Sequence, residues 1–156
     1  LGHAALALLG HDMCAPVDVP GRMRDAERHA HLATERERSH VHAILSHLRG
    51  DPRPVVRHLQ AYPVDALLLS AAVPTIAFAG VTEVPEQAWE IVERAAPAYG
   101  DDWWYAGLLA FVRQEQGRFD EAMDLSCRSL AVEPSAGHSA HARAHATTRP
   151  ATTTPA

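Results

Sequence analysis

WYAGLLAFVRQEQGRFDEAMDLSCRSLAVEP, Trp104 to Pro134, reads as two helices folded back on each other around one glycine. Asp101 or Asp102, just upstream, can accept the free backbone amides of a helix running to Gln116. Gly117 stands where a left-handed residue ends such a helix at no steric cost. Phe119 to Val132 then carries apolar and small residues at Ala122, Met123, Leu125 and Leu130, the spacing of one helical face, before Pro134 stops it. A hairpin of this kind leaves an apolar side that only another hairpin can cover.

The same punctuation recurs upstream. Pro63, Pro97 and Pro134 close successive helix pairs at spacings of 34 and 37 residues, and Gly50, Gly80 and Gly117 mark the turns inside them. A helix-turn-helix period near 34 residues is the tetratricopeptide signature. Counted from Gly117, Leu109, Ala110, Ala122, Ser129 and Pro134 fall on that repeat's large, small, small, small and proline positions, while Arg113 and Ser126 stand where it prefers aromatics. The expected fold is all-α: antiparallel helical hairpins stacked as a right-handed, tetratricopeptide-like α-solenoid.

Further elements follow from local signals. Leu1 to Gly10 resembles the end of a longer helix, set apart by Pro20 and Gly21 from a helix over Met23 to Ala33. Thr34 with Glu37 fits a capping box, and Val41, Ile44, Leu45 and Leu48 follow at helical spacing up to Gly50. Asp51-Pro52 starts a helix buried through Val55, Val56 and Leu59 and ended by Tyr62-Pro63. Asp65 can cap an apolar helix from Ala66 to Phe78, kinked at Pro74 and closed by Gly80. Pro85 opens Glu86 to Ala96, with Ala88, Trp89 and Val92 inward and Pro97 at its close; Ser135 can cap a last helix reaching Ala146. Three regions are expected: a partial helix and linker over 1–20, the repeat domain over 21–146, and a disordered Thr/Pro/Ala tail, TTRPATTTPA, over 147–156.

Composition excludes little but shapes the function class. The 156 residues are 47% apolar and 21% charged, ordinary for a folded domain. The net charge of -5, with basic residues scattered among acidic ones, argues against a nucleic-acid footprint. All fourteen basic residues are Arg, which reads as the coding bias of a high-GC bacterium. Cys14 and Cys127 form no C-x-x-C pair, so free thiols in a reducing cytoplasm are expected. No apolar run is long enough to span a bilayer.

RERSHVHAILSHLRGD (Arg36 to Asp51), YPVDALLL (Tyr62 to Leu69), YGDDWWYAGLLAFVRQEQGRFDEA (Tyr99 to Ala122) and GHSAHARAHA (Gly137 to Ala146), in that order, resemble the tetratricopeptide repeat protein 38 family. The resemblance spans Met23 to Ala146 and implies a helical repeat fold without implying a reaction. Members of that family continue with more helix and a glutamate where this chain has TTRPATTTPA, which implies a truncated or frame-shifted C-terminus. A fragment of a longer repeat protein would self-associate through the exposed ends of its stack.

In the repeat register, the concave groove is lined by Glu37, His40, Ile44 and His47 in the first repeat, Ser70 in the second, and Trp104, Gly107, Phe111 and Gln114 in the third. Such a surface suits a peptide or protein partner held by apolar anchors and a few hydrogen bonds. The plainer alternative is that Trp104 and Phe111 pack between repeats. Histidine is the compositional oddity, eleven in all. His138, His141 and His145 lie on one side of the last helix, and imidazoles at that spacing can share a divalent metal if His40 or Glu37 supplies a further ligand. A metal-dependent enzyme on the same helices is therefore the rival to a cofactor-free interaction module. Structural histidines are the plainer reading, with no H-E-x-x-H motif and no paired cysteines to assist. The pairs His29/His31 and His40/His42 are two residues apart and diverge on a helix. Ser39-His40, and Ser139 beside His138 and His141, suggest a nucleophile and base only if folding supplies the geometry.

Overall fold

A computed structural model describes residues 1–72 and 85–148. Among them the secondary structure is entirely helical, without strands, and the helices pack in pairs. Contacts divide the chain into two compact units, one over Leu1–Ala95 and one from Ala96 onward.

In the first unit, α1 (Gly2–Asp12) packs on α2 (Val19–His29), and α3 (Glu35–His47) packs on α4 (Arg53–Ala61). α1 also touches α3 and a π-helical segment, Leu68–Ala72, while α4 meets α5 (Pro85–Arg94). Ala4, Ala7 and Leu8 on α1, Ile44 on α3, Val55 and Leu59 on α4, and Leu68 and Leu69 are all but fully buried. Each large aliphatic side chain withdrawn this way contributes about 1.5–3 kcal/mol.

Several starts and stops are those the sequence announces. The Thr34 hydroxyl accepts the Glu37 amide while the Glu37 carboxylate accepts the Thr34 amide, a complete capping box. Gly50 has φ of +86° and Gly117 of +75°, the left-handed conformation their positions require. Asp102 accepts the Tyr105 amide and Asp65 the Leu68 amide.

Other local expectations are corrected. Pro20 and Gly21 lie in the first turn of α2, because Asp18 accepts the Gly21 amide and starts the helix there. The expected Met23–Ala33 helix stops at His29 and tightens into a 3-10 turn, Ala30–Leu32, with the His29 and His31 imidazoles donating to the Asp25 and Arg28 carbonyls. Ser135 does not cap the last helix, since its amide and hydroxyl both donate to Glu133. Pro97 lies inside a short helix, α6 (Ala96–Tyr99). The expected kink at Pro74, the turn at Gly80 and the tail beyond Thr148 lie outside the described residues.

The second unit also holds α7 (Trp103–Glu115), α8 (Phe119–Val132) and α9 (Gly137–Thr147), each packed on the other two. Tyr105, Leu108, Ala110, Ala122 and Ala142 are buried among them. The helices come close where Gly107 faces Ser139; a Cβ on Gly107 would collide with the Ser139 hydroxyl. That hydroxyl donates to Ser129 Oγ, 2.6 Å away, and Ser129 donates to the Trp103 carbonyl at 2.7 Å. Three helices are thereby joined through two serines and a glycine.

Candidate functional site

The first unit concentrates its buried polar chemistry in two clusters, each built on one carboxylate and two imidazoles. α3 brings His40 and Ser39, α4 brings His58, and Asp65 follows in the turn ahead of Leu68. His58 is buried because it lies three residues after Val55 on the apolar side of α4. Asp65 Oδ2 accepts from His40 Nδ1 at 2.5 Å and from His58 Nε2 at 3.1 Å, while its Oδ1 accepts the Leu68 amide at 3.3 Å. On its far side, His58 Nδ1 accepts from the Ser39 hydroxyl at 2.8 Å. The His40 and His58 rings meet edge to face, and Tyr62 tilts against His58. Burial pushes the Asp65 carboxyl up, but hydrogen bonds from His40 and His58 outweigh it and hold the group far below the usual carboxylate range.

This cluster borders an open cleft of about 590 Å³. His40 and Asp65 lie on it with Leu67, Thr34, Glu37 and Arg36. The Thr34 amide and hydroxyl hold the Glu37 carboxyl below its ordinary value, so the cleft keeps a fixed negative charge beside the Arg36 guanidinium, which lies over the Tyr62 ring.

The second cluster joins α1 to α3. Asp12 accepts from His47 Nε2 at 3.1 Å and from His11 Nδ1 at 2.5 Å, with its side chain 1% exposed. Burial raises the Asp12 carboxyl; the bonds from His47 and then His11 more than reverse that and leave it lowered.

The expected groove positions fall in different surroundings. Glu37 and His40 line the first-unit cleft. His47 is buried against Asp12, and the Ser70 hydroxyl donates to the Leu67 carbonyl. In the second unit, half-buried Trp104 borders a cleft of about 270 Å³ with Trp103, Gly107, His138 and Ser139. Phe111 is buried with Ala110 and Ala142, its ring against His138 and His141. Gln114 is buried, with its side-chain oxygen unbonded.

Of the expected metal histidines, His141 and His145 stack with ring centroids 4.5 Å apart, and His138 turns its edge to Phe111. Burial, then the neighbouring His141, holds His138 below the usual histidine value. Among the described residues, the group of metal-ligating side chains that does converge is His40, His58 and Asp65, whose ligand atoms all lie within 4.8 Å of one another. Ser39 bonds to His58 instead of its neighbour His40, and Ser139 to Ser129 instead of a histidine. Ser39, His58 and Asp65 thus follow the hydrogen-bond order of a nucleophile, base and acid, but Ser39 is not among the residues lining the cleft. From the sequence Asp65 reads only as a cap, and the one local signal for His58 is its three-residue step from Val55.

The described residues define an all-helical protein of paired helices, with a buried imidazole–carboxylate cluster beside an open cleft. No family model, curated protein or solved structure matches the chain. Cys14 and Cys127 are free and exposed, and no helix among the described residues is long and apolar enough to cross a membrane.

Proposed function

We propose that the chain is a tetratricopeptide-like repeat module, akin to the tetratricopeptide repeat protein 38 family, that binds a peptide or partner protein, without nucleic acid or membrane as its target. The observation that carries this reading is the first-unit cleft. Two positions expected to line the recognition groove, Glu37 and His40, stand together on it, beside an exposed guanidinium and a half-buried Leu67. Fixed charges of both signs around an apolar floor suit an extended peptide carrying one aliphatic anchor and its own polar termini or side chains. Neighbouring helices paired across turns, two of them made by left-handed glycines, support stacked helical hairpins, and on that pairing the right-handed α-solenoid is proposed. A reducing cytoplasm fits two exposed, unpaired thiols.

Selection of displayed random peptides on the full chain tests the reading. Enriched peptides are expected to bind the wild type and to lose at least about tenfold in affinity on Arg36→Ala or Leu67→Ala, whose side chains border the cleft. Failure to enrich any sequence, or binding indifferent to both substitutions, refutes it.

A further inference from the structure

We propose that His40, His58 and Asp65 form a binding site for a divalent transition-metal ion of the zinc type, with an open coordination position toward the first-unit cleft. The donors are two imidazole nitrogens and one carboxylate oxygen, a set that suits zinc, cobalt or nickel over the all-oxygen shells of magnesium and calcium. All three residues are buried, with side-chain exposures of 10% for His40, 0% for His58 and 9% for Asp65, so bulk water competes weakly for the ion.

Geometry supports the site on both sides of Asp65. A tetrahedral ion with bonds of ~2.0–2.1 Å sets its ligand atoms about 3.4 Å apart. The His58–Asp65 separation of 3.1 Å is already close to that, and the His40–Asp65 separation of 2.5 Å must open by roughly 0.9 Å. The ion takes the place of the protons now shared with Asp65 Oδ2. Each neutral imidazole bares its ligating nitrogen by changing tautomer: on His40 the proton moves from Nδ1 to Nε2, and on His58 from Nε2 to Nδ1, where the Ser39 hydroxyl rotates to accept the hydrogen bond. Metal-bound histidines commonly hold their second nitrogen on such an oxygen, which fixes ring and tautomer. Asp65 Oδ1 is likewise held by the Leu68 amide. His40 and Asp65 both reach the cleft, and so the remaining coordination position faces it. There, water or a carboxylate from a bound molecule completes the shell.

The site does not depend on the peptide reading, and its test uses only metal. The full chain, stripped with chelator, is titrated with Co(II) and then Zn(II), following the visible absorption of cobalt in a low-coordinate nitrogen and oxygen site. One equivalent of Co(II) is expected to bind and to be displaced by Zn(II). Asp65→Asn and His58→Gln are expected to abolish that signal, Ser39→Ala to weaken affinity about 10- to 100-fold, and His138→Gln/His141→Gln/His145→Gln to leave it intact. Absence of the signal in wild type, its survival in folded Asp65→Asn, or its loss in the triple variant overturns the proposal. If the ligand variants fail to fold, the imidazole nitrogen resonances of the wild type decide. Zinc is expected to shift His40 Nδ1 and His58 Nε2, and shifts confined to other histidines overturn the site.

Discussion

Asp12 and Asp65 are both carboxylates taken out of water between two imidazoles, and neither is ion-paired to an arginine among the described residues. Burying a carboxylate is costly unless hydrogen bonds replace its hydration, and here imidazole N–H groups do so. Because the Asp12 carboxyl titrates lower in the folded chain than its unfolded value near 3.9, its contribution is complete above about pH 4 and fades as pH falls toward the folded value. Asp12→Asn is therefore expected to cost about 1.5–3 kcal/mol in chemical denaturation at pH 7 and markedly less at pH 3. An equal loss at both pH values would contradict that linkage. His138, though a base, gives the same sign: held low by burial and then by His141, it resists protonation in the folded state. Its full contribution holds above about pH 6.5 and drains away as pH falls through the window below. Melting curves at pH 7.5 and 5.5 should show a smaller acid-induced drop for His138→Gln than for wild type.

At the scale of elements, the second unit rests on the approach of α7 to α9. Gly107→Ala is expected to destabilise by about 1–3 kcal/mol, since a methyl there meets the Ser139 hydroxyl. Ser139→Ala removes the obstructing oxygen and with it the bond to Ser129, so the double variant should be more stable than the sum of the single losses predicts. Additive losses in a denaturation cycle would show that the two residues do not interact.

Much of this level is legible in the sequence. Phe119 to Val132 is bounded as observed, and Thr34 with Glu37 needs only its spacing to be read. What escapes is whatever depends on a competing partner. Ser135 has the chemistry of a cap, but Glu133 is nearer; Asp18 was a better starter for α2 than the residues after Gly21. The candidate site escapes for a related reason. Its residues are 18 and 7 positions apart in sequence, on two helices and a turn, and no local periodicity reports that they converge. His40 was legible as a face position, whereas Asp65 looked complete as a cap because capping uses only one of its two oxygens.

At the scale of the whole molecule, each compact unit has its own buried residues. In the unit from Ala96 onward, α7, α8 and α9 bury Tyr105, Leu108, Phe111, Ala122 and Ala142 against one another. A fragment beginning at Ala96 is accordingly expected to keep a helical circular dichroism spectrum and a cooperative melt, at reduced stability for its size. A coil spectrum would show that the unit needs the rest of the chain.

The way helices pack on their immediate successors also bears on how quickly the chain finds its fold. α1 on α2, α3 on α4, and α7 on α8 on α9 close short loops, so little chain entropy is lost before contact enthalpy is gained. Synthesis from the N-terminus delivers each hairpin's second helix while the first is still waiting for a cover. The Asp12–His47 bond is an exception, because α1 must hold a half-dressed carboxylate until the end of α3 has left the ribosome. Until then water must solvate the Asp12 carboxylate, so α1 reaches its buried place only once α3 is there to receive it.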